Sequence, residues 1–287
     1  MAGSVGLNEF AEHSIGGSTF LAFDKVESGT MDYDGGEWKE NIGVGGQVAG
    51  YRDMVTPVGN VSTMLQTGTL IACLKPASLG ALPAVIAKIQ GGVVTTANLS
   101  RLHTSCYIKT FKFSCAKGGV VMADYAWGAL GETEAQTVAS AQSKQTALPY
   151  VWHAETPTFG AAAALSCQSW EVSGETGISF ETSLDHKTSG VQRLPEFVDP
   201  GLFSVKLTAT VRVDPALVLT ADQVTAYGFK VIATNGTGTF TIDMTGSNKV
   251  QMNKDPIPLV KGKDAVVYQI EGQIITDDLA ACLITLT

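Results

Sequence analysis

The chain is 287 residues long, 45% hydrophobic and 16% charged, with 31 glycines and a formal net charge of −8. That length allows one large domain or two ordinary ones, with enough apolar content for a real core. The acidic balance and the absence of any Lys/Arg block argue against a protein that holds nucleic acid, because such affinity rests on basic side chains neutralising phosphates.

Divided at Leu148, the first part carries 10 basic and 12 acidic residues and the second 9 and 15, so the acidity is concentrated C-terminally. No basic segment followed by an apolar one opens the chain, and no apolar stretch approaches the ~20 residues of a membrane helix. The expectation is a product made in a cytoplasm with no membrane partner.

Residues 1–18 mix Gly, Ser and acidic residues and predict a flexible N-terminal arm. Phe20-Leu-Ala-Phe23 reads as strand, followed by a turn at Asp34-Gly35-Gly36. Residues 35–59 are Gly-rich and weakly periodic, which predicts a long loop; such loops are usually functional. Its apolar residues Trp38, Ile42, Val44, Val48, Tyr51 and Met54 exceed what a solvated loop carries, and Trp and Tyr are favoured interface anchors. They are the candidate contacts to a neighbouring subunit. Val61 to Leu74 reads as a strand ended by Lys75-Pro76. Leu82, Val85, Ile86 and Ile89 stand at helical spacing with Gly91-Gly92 as a stop, predicting a helix.

Cys106 to Cys115, a turn at Lys117-Gly118-Gly119, and Val120 to Trp127 predict a hairpin, with Tyr107, Phe111, Phe113 and Cys115 on one face of its first strand and Val121, Ala123, Tyr125 and Trp127 on one face of its second. Glu132 to Gln145 is polar and reads as a linker. A second Ser-Cys pair at Ser166-Cys167 leads into Cys167 to Ser173, a turn at Gly174-Glu-Thr-Gly177, and Ile178 to Asp185, predicting a second hairpin and with it an internal duplication. Asp222 to Tyr227, preceded by Thr220 as N-cap, suggests a short helix. The clearest signal comes last. Phe203 to Val213, Thr239 to Thr245 and Val266 to Ile274 alternate apolar and polar residues, the mark of half-buried antiparallel strands. The fold expected is mainly β: antiparallel sandwich or barrel units with one or two short helices, divided into residues 19–147 and 148–287.

No motif carries catalytic chemistry: there is no phosphate-cradling glycine loop, no His-Glu-x-x-His, no nucleophile elbow and no Cys-x-x-Cys. The expectation is a non-enzyme without cofactor or metal. The four histidines, His13, His103, His153 and His186, fall in separate segments and read as surface or turn residues. Five scattered cysteines read as buried free thiols. Glu171, Glu175, Glu181 and Asp185 form an acidic strand face, either solvated or lining a channel.

Taken together, Cys106-Tyr-Ile-Lys-Thr-Phe-Lys-Phe-Ser114, Gly118-Gly119-Val-Val-Met-Ala-Asp-Tyr125, Ser169-Trp-Glu-Val-Ser-Gly174, Ile178-Ser-Phe-Glu181 and the strand Phe203 to Val213 resemble, in pattern and order, the tailed-bacteriophage tail tube protein (major tail protein) in its long form. The resemblance implies a structural virion protein of the phage tail. Its subunits would join sheets edge to edge into rings, three or six chains per ring, and the rings would stack into a hollow tube ending on other tail proteins. DNA would pass through the tube without specific binding. The 35–59 segment would contact the next ring, and Glu171, Glu175, Glu181 and Asp185 would line the lumen, where negative charge keeps a polyanion from sticking. Alternatives of other classes are a capsid-decorating or tail-completion protein and, with only four Trp and no carboxylate pair by an aromatic cluster, a carbohydrate-binding module or hydrolase.

Overall fold

Each of the three long alternating runs of the C-terminal part is a strand in the computed structural model. It describes residues 9–16, 20–35, 38–42, 48–52, 54–74, 80–93, 96–134, 145–152, 158–159, 167–181, 194–212, 226–245, 249–254, 267–275 and 283–287. In chain order the first half gives β1 (Glu9–Ile15), β2 (Leu21–Ala22), β3 (Lys25–Gly35), β4 (Trp38–Ile42), β5 (Val48–Arg52), β6 (Val55–Met64), β7 (Ala87–Val93), β8 (Thr96–Ala116) and β9 (Met122–Glu134). The second gives β10 (Thr158–Phe159), β11 (Cys167–Glu175), β12 (Ser179–Glu181), β13 (Phe197–Asp199), β14 (Ser204–Arg212), β15 (Ala226–Tyr227), β16 (Phe229–Thr234), β17 (Thr239–Met244), β18 (Lys249–Lys254), β19 (Val267–Ile275) and β20 (Leu283–Leu286).

Twelve strands form one antiparallel sheet built around β8. On one side β8 pairs with β9 along most of its length, and β9 leads to β6 and β3. On its other side the N-terminal part of β8 pairs with β7, which leads to β1 and β2. The C-terminal part pairs with β11, which leads to β14, β19, β18 and β15. A second sheet, in the order β10-β16-β17-β20, packs against it. The large sheet therefore continues across the boundary expected near residue 148.

The core lies between these sheets. Val205, Leu207, Ala209 and Val211 of β14 and Phe240, Ile242 and Met244 of β17 are buried, as their alternation predicts. The Phe113 and Phe240 rings meet at 5.4 Å and Trp152 meets Trp170 edge-on at 6.5 Å. Each fully buried Phe or Leu contributes roughly 2 kcal/mol by leaving water, so this layer dominates stability. The fold is a mainly β, antiparallel sandwich.

Several expectations are corrected. Glu9–Ile15, placed in a flexible arm, is strand β1, held by β7. The strand expected from Val61 to Leu74 runs instead from Val55 to Met64, and Thr69–Cys73 is a 3-10 turn. Among the described residues that turn is the only helical element. The helix expected at Leu82 to Ile89 does not form: Ala87–Val93 is β7, with Ala87 and Ile89 buried and Lys88 exposed between them. Pro83 and pairing to strands on both sides favour the extended state there. The helix expected at Asp222 to Tyr227 ends in strand at Ala226–Tyr227, the rest lying outside the described residues.

The hairpin β8–β9 forms, but Phe111, Phe113 and Cys115 share their inward side with Cys106 and Ile108 rather than with Tyr107. A bulge between Ile108 and Thr110 reverses the parity. Glu132 to Glu134, placed in the linker, belong to β9, and residues 135–144 lie outside the described residues. The second hairpin is not one. Beyond Gly177, which takes φ 66, the chain leaves the sheet, and β12 pairs with β13 while β11 pairs with β8 and β14.

Candidate functional site

Two features outside the core could meet other molecules. The first is the segment expected to be a loop. The described residues of 35–59 form β-ribbons instead: β3 and β6 pair from Lys25↔Met64 out to Gly35↔Val55, and β4 pairs with β5 from Trp38↔Arg52 to Ile42↔Val48. Ribbons need no helical or strict two-period signal when glycines interrupt them, which is why the sequence read as irregular. Of the candidate contact residues, Trp38 and Ile42 lie on β4, Val48 and Tyr51 on β5, and Met54 at the ribbon's base. Val44 lies outside the described residues. Strand β3 is the sheet's long free edge. Nine of its 11 residues are exposed, including Val26, and among the described residues it pairs with β6 alone, the marks of a sheet edge.

The second feature is the polar face of the large sheet. The odd residues of β11 (Ser169, Glu171, Ser173 and Glu175) face outward between Thr110, Lys112 and Ser114 of β8 and Ser204, Lys206, Thr208 and Thr210 of β14. Gln269, Glu271 and Gln273 of β19 continue the face. It dips into an open groove whose walls include Asn60, Ser62, Lys112, Asp124, Glu175 and Lys206. There Lys112 Nζ lies 3.0 Å from Asp124 Oδ2, and the Ser62 hydroxyl donates to Asp124 Oδ1 at 2.5 Å. The hydrogen bond to Asp124, with the charges of Asp124 and Glu171, raises the Lys112 pKa above the usual lysine range. The face is thus mixed, with lysines standing among the carboxylates.

The structure separates the four candidate acids. Glu171 and Glu175 share this face. Glu181 is exposed on β12, whose Phe180 packs on Gly128 and edge-on against Tyr107 at 6.3 Å. Asp185 lies outside the described residues.

Sequence reasoning missed the buried polar residues that shape these surfaces. Asp24 accepts hydrogen bonds from the backbone N–H groups of Gln66, Thr67 and Gly68 and from the Thr67 hydroxyl, fixing the turn after β6. The Gln-Thr-Gly composition of that turn was the available signal. His13 and His103, expected at the surface, are buried. His13 Nε2 meets the Thr69 hydroxyl at 2.5 Å, and burial lowers its pKa against the opposing pull of Asp24. Four cysteines, Cys73, Cys106, Cys115 and Cys167, are buried free thiols as expected, and burial pushes Cys73 and Cys167 up to about 12. Cys282, His153 and His186 lie outside the described residues. No described helix is long and apolar enough to cross a membrane.

Residues 48–274, 227 of the 287, match the model of a family described as phage tail tube protein. No curated protein matches the chain.

Proposed function

We propose, because this chain belongs to the phage tail tube protein family, that it closes into rings by pairing the free edges of its large sheet, and that the rings stack into the conduit for DNA ejection. The observation that carries this reading is a repeated strand order. The first half supplies β3-β6-β9-β8 and the second β11-β14-β19-β18. Numbered along the chain, each set runs first, second, fourth, third. The sets meet where β8, a third strand, pairs antiparallel with β11, a first strand. The eight-stranded run ends on β3 and β18, again a first and a third strand. A neighbouring copy could repeat the central junction by pairing its β3 with β18, of which β15, among the described residues, covers Gln251 and Val250.

This order supports duplication on different grounds from the paired Ser-Cys hairpins, one of which does not exist. It also favours three chains per ring. At ~4.8 Å between strands, 24 strands give a circumference of ~115 Å and a backbone diameter of ~37 Å, and six chains would double it. Within this reading the ribbon β4–β5, with Trp38, Ile42, Val48 and Tyr51, reaches the adjoining ring together with Val44 and Met54, and Glu171 and Glu175 face the lumen.

Electron microscopy of the purified protein tests it, with rotational averaging of end-on views. Hollow filaments with three chains around the axis are expected. Six equivalent chains would refute the duplication argument, and a monomer at all concentrations would refute ring assembly.

A further inference from the structure

The ribbon leaves the body of the protein at a definite place. Strand β6 pairs with β9 only as far as Val58↔Gly128, whereas β3 and β6 stay paired out to Gly35↔Val55. Beyond that rung no strand among the described residues pairs with the outer side of β6, although Val55, Thr56 and Pro57 stay buried. At the last supported rungs, both strands of the ribbon rest on one buried chain of side chains. Trp127 Nε1–H donates to His103 Nδ1 at 3.1 Å, which places the imidazole proton on Nε2, 3.7 Å from Glu132 Oε1. Arg101 Nε lies 3.6 Å from that same oxygen. The Glu132 side chain is 2% exposed, so its carboxylate needs a cation, and Arg101 is held in place to serve it.

The far side of the guanidinium faces the ribbon. Arg101 Nη1 lies 3.5 Å from the Met31 carbonyl oxygen, and Arg101 Cζ stands 4.8 Å above the centroid of the Tyr33 ring. On the opposite strand, Gly59, the register partner of Met31, lies directly against the Trp127 indole, where a Cβ would overlap the ring. Trp127 and Arg101 thus grip the two strands of one rung. Each contact is individually weak, but the Met31 and Gly59 contacts act on one rung, the Tyr33 contact acts two rungs further out, and Arg101 ties them to the buried Glu132 carboxylate.

We infer that Arg101, positioned by Glu132 and His103, is a clamp that fixes the direction in which the ribbon leaves the body. Its value to the protein rests on the proposed role of the ribbon in meeting a neighbouring subunit: an arm held at one angle presents β4–β5 without first losing the freedom to swing.

The test measures the angle directly, on the full chain before assembly. Spin labels carried by unnatural amino acids at Asp34, on the outer ribbon, and Thr237, on the second sheet, report one distance distribution. The expected result is a single narrow peak that is lost in Arg101→Met and in Tyr33→Leu. It should persist in Lys230→Met, which breaks the unrelated 3.1 Å ion pair to Asp243. Tyr33→Leu leaves the buried chain intact and decides the matter if Arg101→Met fails to fold. A peak that is broad in the unaltered protein, or one unchanged in Tyr33→Leu, would overturn the clamp. A lost peak with undiminished filament growth would support the clamp and count against the ribbon as an assembly arm.

Discussion

His103 shows how a single residue can carry more than its sequence position suggests. In β8 it alternates with Arg101 and reads as one more polar residue on a solvated face. Its partners Trp127 and Glu132 lie on the neighbouring strand, so the sequence places them near each other only once the β8–β9 register is known. Burial, and the Arg101 charge after it, lower the His103 pKa from 6.5 to about 4. Between those values the unfolded chain binds a proton that the folded chain does not, so stability is full above pH 6.5 and falls as the pH drops towards 4. The loss from this one group approaches ~3 kcal/mol at most, and His13, also lowered, adds in the same direction. Denaturant unfolding at pH 7.5, 6, 5 and 4.5 checks this. His103→Gln should flatten the dependence, and a profile identical in the variant would show that His103 is not its source.

Elements were legible where a period of two ran undisturbed and hidden where something local broke it. Strands β14, β17 and β19 alternate cleanly and lie where expected. Strand β8 includes the expected Cys106 to Cys115 but starts ten residues earlier, at Thr96, and its inward residues change parity at the Ile108–Thr110 bulge, which no side-chain pattern announces. Over eight residues, Leu82 to Ile89 fits a helical period as well as a strand, and only pairing to β1 and β8 decides between them. Strands β12 and β13 are the extreme case: their place depends on Phe180 finding the one gap in β9 where Gly128 leaves room. A Cβ at Gly128 would overlap the Phe180 ring. Gly128→Ala should therefore lift β12–β13 from the sheet, a local cost of ~1–3 kcal/mol. Amide exchange should quicken at Ser179–Glu181 while β14 keeps its protection. Equal acceleration in both would mean that β12–β13 and the core open as one unit.

At the scale of the whole molecule, the sequence pointed to a mainly β architecture but not to the edges it exposes. Which strands end a sheet depends on pairings between distant segments; the charges of β3 suit an edge, but nothing in its sequence names the strand it would meet. If β3 of one chain meets β18 of the next, a free peptide with the β3 sequence, Lys25–Gly35, should cap the β18 edge and slow filament growth. A scrambled peptide should not, and equal inhibition by both would remove β3 from the junction. The polar face raises a different question, because Lys112 and Lys206 stand among its carboxylates and offset part of their charge. What a passing polyanion meets then depends on which acids reach the lumen. Glu175 lies in the sheet between Thr110 and Ser204, whereas Glu181 lies on β12, outside that face. Both are exposed, so replacing either with Lys should change folding stability by ~1 kcal/mol or less. If the polar face lines the bore, Glu175→Lys adds a phosphate contact and should slow DNA ejection, more so at low salt, because each such contact releases counterions. Glu181→Lys should then leave the rate nearly unchanged. The reverse ranking would place β12–β13 at the lumen, and no effect from either would turn the polar face outward while leaving the tube itself standing.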